Sequence, residues 1–421
     1  MKAKLLKILM MCILFSGYAN AETITLEACR SWSHEVFPIF KSQSIYSSIL
    51  NKEMSLVKYD KYPSVILRGQ ASYQSDVVSM SEPSPFFSFP DLSKDQYQLF
   101  VELNQSIYDG GVRRLQTEIN TLNDSIRHLD FEMELHRLDQ KVEQIYCQIL
   151  FFKQQYFLHQ QQVRSMDIVL RDISAQVKQG KAIRLQENEI KVQRLVSVQQ
   201  QDQAFEEYRT SCNVLSVLCG KVFDSKHDEF SFPLITLNST NNTPNDILMM
   251  SLQQSQYQRQ LEIIGKSLMP RINAFGKGGY GRPGLNFLDN SFSPYYYVGI
   301  GITWKPFDWK NTQRKRSLQL DQIELIEVKK SQKELLREAR IKEMKGKLFM
   351  IEDQIEKDHE IIELRKEITE DLQKQWKLRT IPFSIYVDGM NNTLEAEISK
   401  ELHRIQKLKT ILSYNRFLKQ S

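Results

Sequence analysis

The side chains best suited to chemistry are few in this chain and badly spaced for it. Seven histidines are scattered over 421 residues, and none stands at ligand spacing from Cys212 or Cys219. Cys212 and Cys219 lie seven apart on a helical stretch, about 10 Å along its axis, too far for a bridge without unwinding. They are expected to pack as small apolar residues. His159 falls on an apolar helix seam, a position for a buried core imidazole rather than a catalytic one. Gly276 to Gly281 is glycine-rich but lies inside a strand pattern, and no phosphate loop or nucleophile elbow occurs. These patterns point away from an enzyme, a disulfide framework and a metal centre, and no cofactor is expected.

Residues 1–21 read as a cleaved secretory signal. Lys2, Lys4 and Lys7 give a positive start, Ile8 to Phe15 a short apolar core, and Ala19-Asn20-Ala21 a small-x-small cleavage pattern. The apolar core is shorter than the roughly 20 residues a spanning helix needs. No later run could cross a bilayer as a helix, and the mean hydropathy of -0.43 with 25% charged residues describes a water-facing chain. Any membrane contact must then come from strands, whose alternation escapes hydropathy plots. The net charge of +5 is spread among interspersed acids and bases, which argues against a nucleic-acid partner.

One plan occurs twice, in residues 22–242 and 243–421. In the first, a helical stretch from Thr23 to about Tyr59 is broken at Pro63. A strand pair (62–108) follows, alternating over 64–74 and 97–107 around a Ser/Pro-rich loop from Asp76 to Lys94. After Asp109-Gly110-Gly111 come a long helix (112–178) and a return helix (183–218). The second half repeats the order: a helix from about Pro244 to Pro270, a strand pair (271–304), a long helix (312–378) and a return helix (386–418). Pro63 to Pro270 spans 207 residues and Asp109 to Asp308 spans 199, offsets consistent with internal duplication.

The long helices carry coiled-coil seams. Leu138, Val142, Ile145, Ile149, Phe152, Tyr156, His159, Val163 and Met166 follow 3–4 spacing, as do Met344, Leu348, Ile351 and Ile355. At 1.5 Å per residue each long helix would reach about 100 Å. The strands have the 10–11 residues that cross a bilayer at a tilt. Tyr62, Tyr73, Tyr97, Tyr108, Tyr280 and Trp304 flank them like interfacial girdles. Strand 271–280 is the weak one, its glycines and Lys277 blurring the alternation. Four strands cannot close a barrel and an open edge cannot sit in lipid, so several subunits must pool their strands. The competing reading is a secreted or periplasmic coiled-coil scaffold with no pore.

The chain resembles the TolC family of outer-membrane efflux proteins. The resemblance rests on Thr25-Leu26-Glu27, Tyr62-Pro63-Ser64, Tyr108-Asp109-Gly110-Gly111, Lys178 with Gly180, Leu218-Cys219-Gly220, and Trp304 through Pro306-Phe307-Asp308-Trp309. It implies an α+β membrane protein, a homotrimer whose twelve pooled strands form one barrel in outer-membrane lipid, with coiled coils forming a periplasmic α-barrel. It implies the exit duct of a tripartite efflux or type I secretion system, working with a periplasmic adaptor and an inner-membrane pump of RND or ABC type. The adaptor-contact tips would be the two helix turns, with Lys178, Gly180, Lys181, Ile183, Leu378, Arg379, Thr380 and Pro382. The family narrows its closed tunnel with aspartate rings. Aligned from Arg379-Thr380-Ile381, Asp388 falls on one such position and Ile385 on the other, so a ring of Asp388 is the candidate pore gate.

Overall fold

The computed structural model describes residues 23–77, 92–225, 228–238, 243–286 and 288–419. The expected leader and most of the Ser/Pro-rich loop lie outside the described residues. The chain runs β1 (Thr23–Ile24), α1 (Leu26–Val36), α2 (Phe40–Tyr59), β2 (Ser64–Tyr73), β3 (Asp95–Tyr108), α3 (Val112–Lys178) and α4 (Arg184–Cys219). It continues with β4 (Glu229–Phe230), α5 (Asn245–Lys266), β5 (Arg271–Arg282), β6 (Ser293–Thr303), α6 (Asn311–Lys377) and α7 (Phe383–Lys419). No described helix is long and apolar enough to cross a membrane.

Three expectations need correction. The stretch from Thr23 to Tyr59 is not one helix: Thr25 caps α1 by accepting from Ala28 N, and Pro38, which cannot continue a helix, separates α1 from α2. Thr23 and Ile24 instead form a short parallel strand against Glu229 and Phe230, an element absent from the sequence reading. The second return helix starts at Phe383 rather than 386, directly after Pro382.

The two long helices are each 67 residues, and both ends are offset by 199: Val112 to Asn311, Lys178 to Lys377. The same offset relates the left-handed backbone positions. Gly110, Gly111 and Gly180 have φ of 76°, 87° and 69°, and their counterparts Trp309, Lys310 and Arg379 have 55°, 63° and 61°. Glycine adopts this region freely, whereas a side chain costs about 1–2 kcal/mol. Asp109 and Asp308 share a role as well. Asp109 accepts from the backbone N–H of Gly111 and of Arg113, both at 2.9 Å, and Asp308 accepts from Thr312 N at 2.7 Å. Each carboxylate thus satisfies free donors where a long helix begins.

The chain divides into two compact units, each drawing on both halves of the sequence. The first takes the described residues up to Lys41, with Phe131–Asp246 and everything from Lys333 onward. Its main core packs Leu26 and Cys29 of α1 with Val142, Tyr146 and Ile149 of α3, Cys212 and Leu215 of α4, and Leu408 and Leu412 of α7. Tyr146 is fully buried, its hydroxyl 2.8 Å from the carbonyl of Ile24 and 2.7 Å from that of Ser231, so it pins β1 and β4 together. Beside this core Glu143, 5% exposed, meets Arg30 at 2.5 Å and also contacts Arg416. His34 Nε2 lies 2.8 Å from Asp139 in the same region.

The second unit comprises Ser42–Asp130 and Ile247–Gln332. It holds a four-stranded antiparallel sheet of order β2-β3-β5-β6. Polar side chains knit its helices: Arg127 to Glu53 at 3.0 Å, Gln256 to Asn123 at 2.8 Å and Gln319 to Gln260 at 2.9 Å.

Candidate functional site

Register decides what each face of the sheet presents. Leu67 pairs with Val101, which pairs with Gly278, which pairs with Tyr296; Val65, Leu103, Gly276 and Val298 form the next row. One face is therefore apolar through the middle of the strands, with Gln105, Asp95 and Arg282 as polar members towards the ends, and its apolar side chains are uncovered: Val65 and Leu67 are each 67% exposed, Val298 78% and Ile300 70%. The blurred strand β5 fits this scheme. Ile272, Ala274, Gly276, Gly278 and Tyr280 lie on the apolar face, and Leu103 and Val298 close over Gly276. Asn273, Phe275 and Lys277 fall on the other face with Arg68, Gln70, Glu102, Asn104, Tyr295 and Tyr297. Uncovered apolar rows of this kind are what a barrel shows to lipid, and a polar opposite face is what it shows to water.

Aromatic rings gather at both ends of the strands. At one end are Tyr62, Tyr108 and Trp304, with Phe307 and Trp309 just beyond; all are exposed. Phe307 and Trp309 pack edge to face at 4.9 Å, and Trp304 donates to the Leu268 carbonyl at 3.0 Å. At the other end Phe292 stacks on Tyr280 at 5.7 Å and on Tyr97 at 6.4 Å, and Tyr73 is the last residue of β2. Two such rows fit the two interfaces of a bilayer. The sheet's outer strands, β2 and β6, have no partner on their far sides among the described residues.

The two helix turns are built alike and lie together. Lys181 N donates to Gln176 O at 2.8 Å and Thr380 N to Gln375 O at 3.0 Å, the closure of a left-handed helix cap. At Arg379 the strain of a non-glycine residue is offset by its side chain, whose Nη2 donates to the Lys181 carbonyl at 2.5 Å. One turn is thereby tied to the other. Beneath them Trp376, 8% exposed, stacks on Tyr386 at 5.5 Å and meets Phe383 at 5.4 Å, over Met166, Ile173 and Ile190. Burial pushes the Tyr386 hydroxyl pKa up. Ser174 and Lys191 both bond Glu187, at 3.1 and 2.7 Å; those hydrogen bonds, that of Lys191 foremost, hold its carboxyl below the usual range.

All eight tip residues named from the sequence are exposed. Gly180, Lys181, Ile183, Arg379, Thr380 and Pro382 line one groove of about 550 Å³, while Lys178 and Leu378 lie outside it. Asp388 and Ile385 are both exposed and three residues apart on α7, hence on one face. Gly389 is buried, and a Cβ there would come within 2.6 Å of Leu372 Cδ1, so its role is close helix packing within a continuous α7. Sequence reasoning missed Trp376 and the Arg379 tie, although three aromatics flanking one turn were a usable signal. His159 does sit on the seam as a core residue, 5% exposed; burial lowers its pKa, and its Nδ1 has no hydrogen-bond partner among the described residues.

No family model and no curated protein matches the sequence. Solved structures do match the fold. The outer membrane protein VceC from Vibrio cholerae is 11% identical, with a TM-score of 0.73 over 93% of this chain and 95% of that one. The CmeC outer membrane channel of Campylobacter jejuni is 12% identical, with a TM-score of 0.70 over 94% and 85%. The MtrE outer membrane channel of Neisseria gonorrhoeae, in its open state, is 13% identical, with a TM-score of 0.68 over 93% and 88%. Two of these neighbours are outer membrane channels and the third is an outer membrane protein. Across nearly its whole length the chain has the fold of the TolC-like outer-membrane channels.

Proposed function

We propose that three copies of this chain pool their sheets into one twelve-stranded outer-membrane barrel, and that their helices form the periplasmic part of the same duct. The observation that carries this is the sheet: one largely apolar face, one polar face and, among the described residues, two open edges. An isolated sheet with those edges cannot rest in lipid, and closure with further copies removes both faults. A pore-free scaffold would have no use for an uncovered apolar face bounded by aromatic rows. Membrane fractionation with heat-modifiable electrophoresis tests the reading. The protein should partition with the outer membrane and migrate as a compact oligomer until boiled; recovery as a soluble monomer would reject it.

The duct performs no bond chemistry. It conducts what an inner-membrane pump delivers, through a periplasmic adaptor that grips the tip groove formed by Gly180, Lys181, Ile183, Arg379, Thr380 and Pro382. Small-molecule efflux and type I protein secretion use the same path, with the RND or ABC pump setting the substrate. Asp388 supplies the gate: three carboxylates at one level of a narrowed tunnel attract cations and bind divalent ions. Asp388→Ala is expected to lower cation preference and relieve block by divalent ions in planar-bilayer recordings. Unchanged block would dismiss Asp388 as the gate.

A further inference from the structure

The polar face of the sheet carries one mid-strand cation that the carboxylate opposite does not neutralise. Glu102 is engaged by Arg68 at 3.5 Å and by the Asn104 amide at 2.8 Å. Lys277 pairs with Glu102 in backbone register, yet its ammonium turns away. Its Nζ sits 3.4 Å from the Phe100 ring centroid and 6.0 Å from that of Tyr295. An aromatic face attracts an ammonium without cancelling its charge. Phe100 is a firm seat, only 7% exposed, because Gly279 beside it leaves the room it needs: a Cβ there would stand 2.6 Å from Phe100 Cβ. On the polar face the described strands hold Arg68, Lys277 and Glu102, with Arg271 at the first residue of β5, so positive charge is in excess.

We propose that Lys277 is the charge-selecting residue of the barrel lumen, and that the barrel section favours anions, both inorganic ions and solutes bearing carboxylate or phosphate. This rests on the trimeric barrel described above, in which Lys277 recurs three times around one water-filled path. Low-dielectric walls focus the field of such a ring, and salt screens it over about 30 Å at 0.01 M but only about 3 Å at 1 M. The proposal assigns the barrel a preference opposite in sign to that of an Asp388 ring. The readout is therefore the change on substitution, not the absolute selectivity.

The test is the reversal potential of the purified full-length protein in planar bilayers under a dilute potassium chloride gradient, with heat-modifiable migration to verify assembly of each variant. Lys277→Gln should lower the chloride-to-potassium permeability ratio by about twofold or more, with Lys277→Glu lowering it further and Lys277→Arg leaving it near wild type. The differences should collapse at 1 M salt. Channels of Lys277→Gln and Lys277→Glu that open normally with the wild-type ratio would overturn the assignment while leaving the barrel intact. A wild-type protein that conducts nothing would overturn the barrel reading beneath it. Should the glutamine variant fail to assemble, the arginine and glutamate variants still decide, the first by a ratio near wild type and the second by a ratio well below it.

Discussion

Gly180→Asp is expected to abolish transport while leaving the oligomer assembled in the outer membrane. The backbone at Gly180 has φ of 69°, and a Cβ there would meet nothing within 4 Å. Aspartate tolerates this conformation better than most residues, so the folding cost is about 1 kcal/mol. The consequence lies outside the fold. Gly180 lines the groove shared by the two turns, where Lys181, Lys377 and Arg379 supply positive charge. A carboxylate placed among them would pair with Lys181 or Arg379 and compete for the bonds that shape the tip, including that from Arg379 to the Lys181 carbonyl. At the centre of an interface such a change costs about 2 kcal/mol or more, roughly thirtyfold in adaptor affinity. Transport by cells carrying the variant and pull-down of the adaptor should fall together, with membrane-level protein unchanged. Gly180→Asp with full transport would remove the groove from the docking surface.

Glu143→Ala should be the most destabilising single change in the helical unit. Glu143 is 7% exposed at its side chain and stands between Arg30 and Arg416, whose side chains are 29% and 12% exposed. Removing the carboxylate leaves two guanidinium groups facing each other, both of them partly buried. Breaking a buried pair from one side costs about 3–5 kcal/mol, most of it from the stranded charge. The loss should show as a lower temperature for unfolding of the helical unit, followed by circular dichroism in detergent. Glu143→Leu combined with Arg416→Leu should recover much of it, because no buried charge is then left without a partner. If the single variant melts with wild type, the cluster is solvated and contributes little.

Elements with strong local signals were legible in the sequence, and those held by distant partners were not. The first long helix, Val112–Lys178, has strong local signals at both ends: Asp109-Gly110-Gly111 precedes its start and Gly180 follows its stop. In the second half Trp309, Lys310 and Arg379 occupy the same left-handed positions, and nothing in their residue type announces it. There the backbone is held by surrounding bonds rather than by glycine's freedom. The two-residue strands at Ile24 and Phe230 are too short for any periodicity, and Tyr146, more than a hundred residues from Ile24, brings them together. Strand β5 was ambiguous on its own, since glycines carry no face information. Only its neighbours' register assigns Lys277 to the polar side. For the same reason the sequence could not show that the Lys277 ammonium sits on the Phe100 ring.

Single-channel recording from the purified wild-type protein in a planar lipid bilayer tests the central claim most directly. Three pooled sheets predict discrete, uniform conductance steps from a preparation that runs as one heat-modifiable oligomer, with steps large enough for a continuous water-filled path. A preparation that stays monomeric in detergent and adds no conductance to the bilayer would contradict the account.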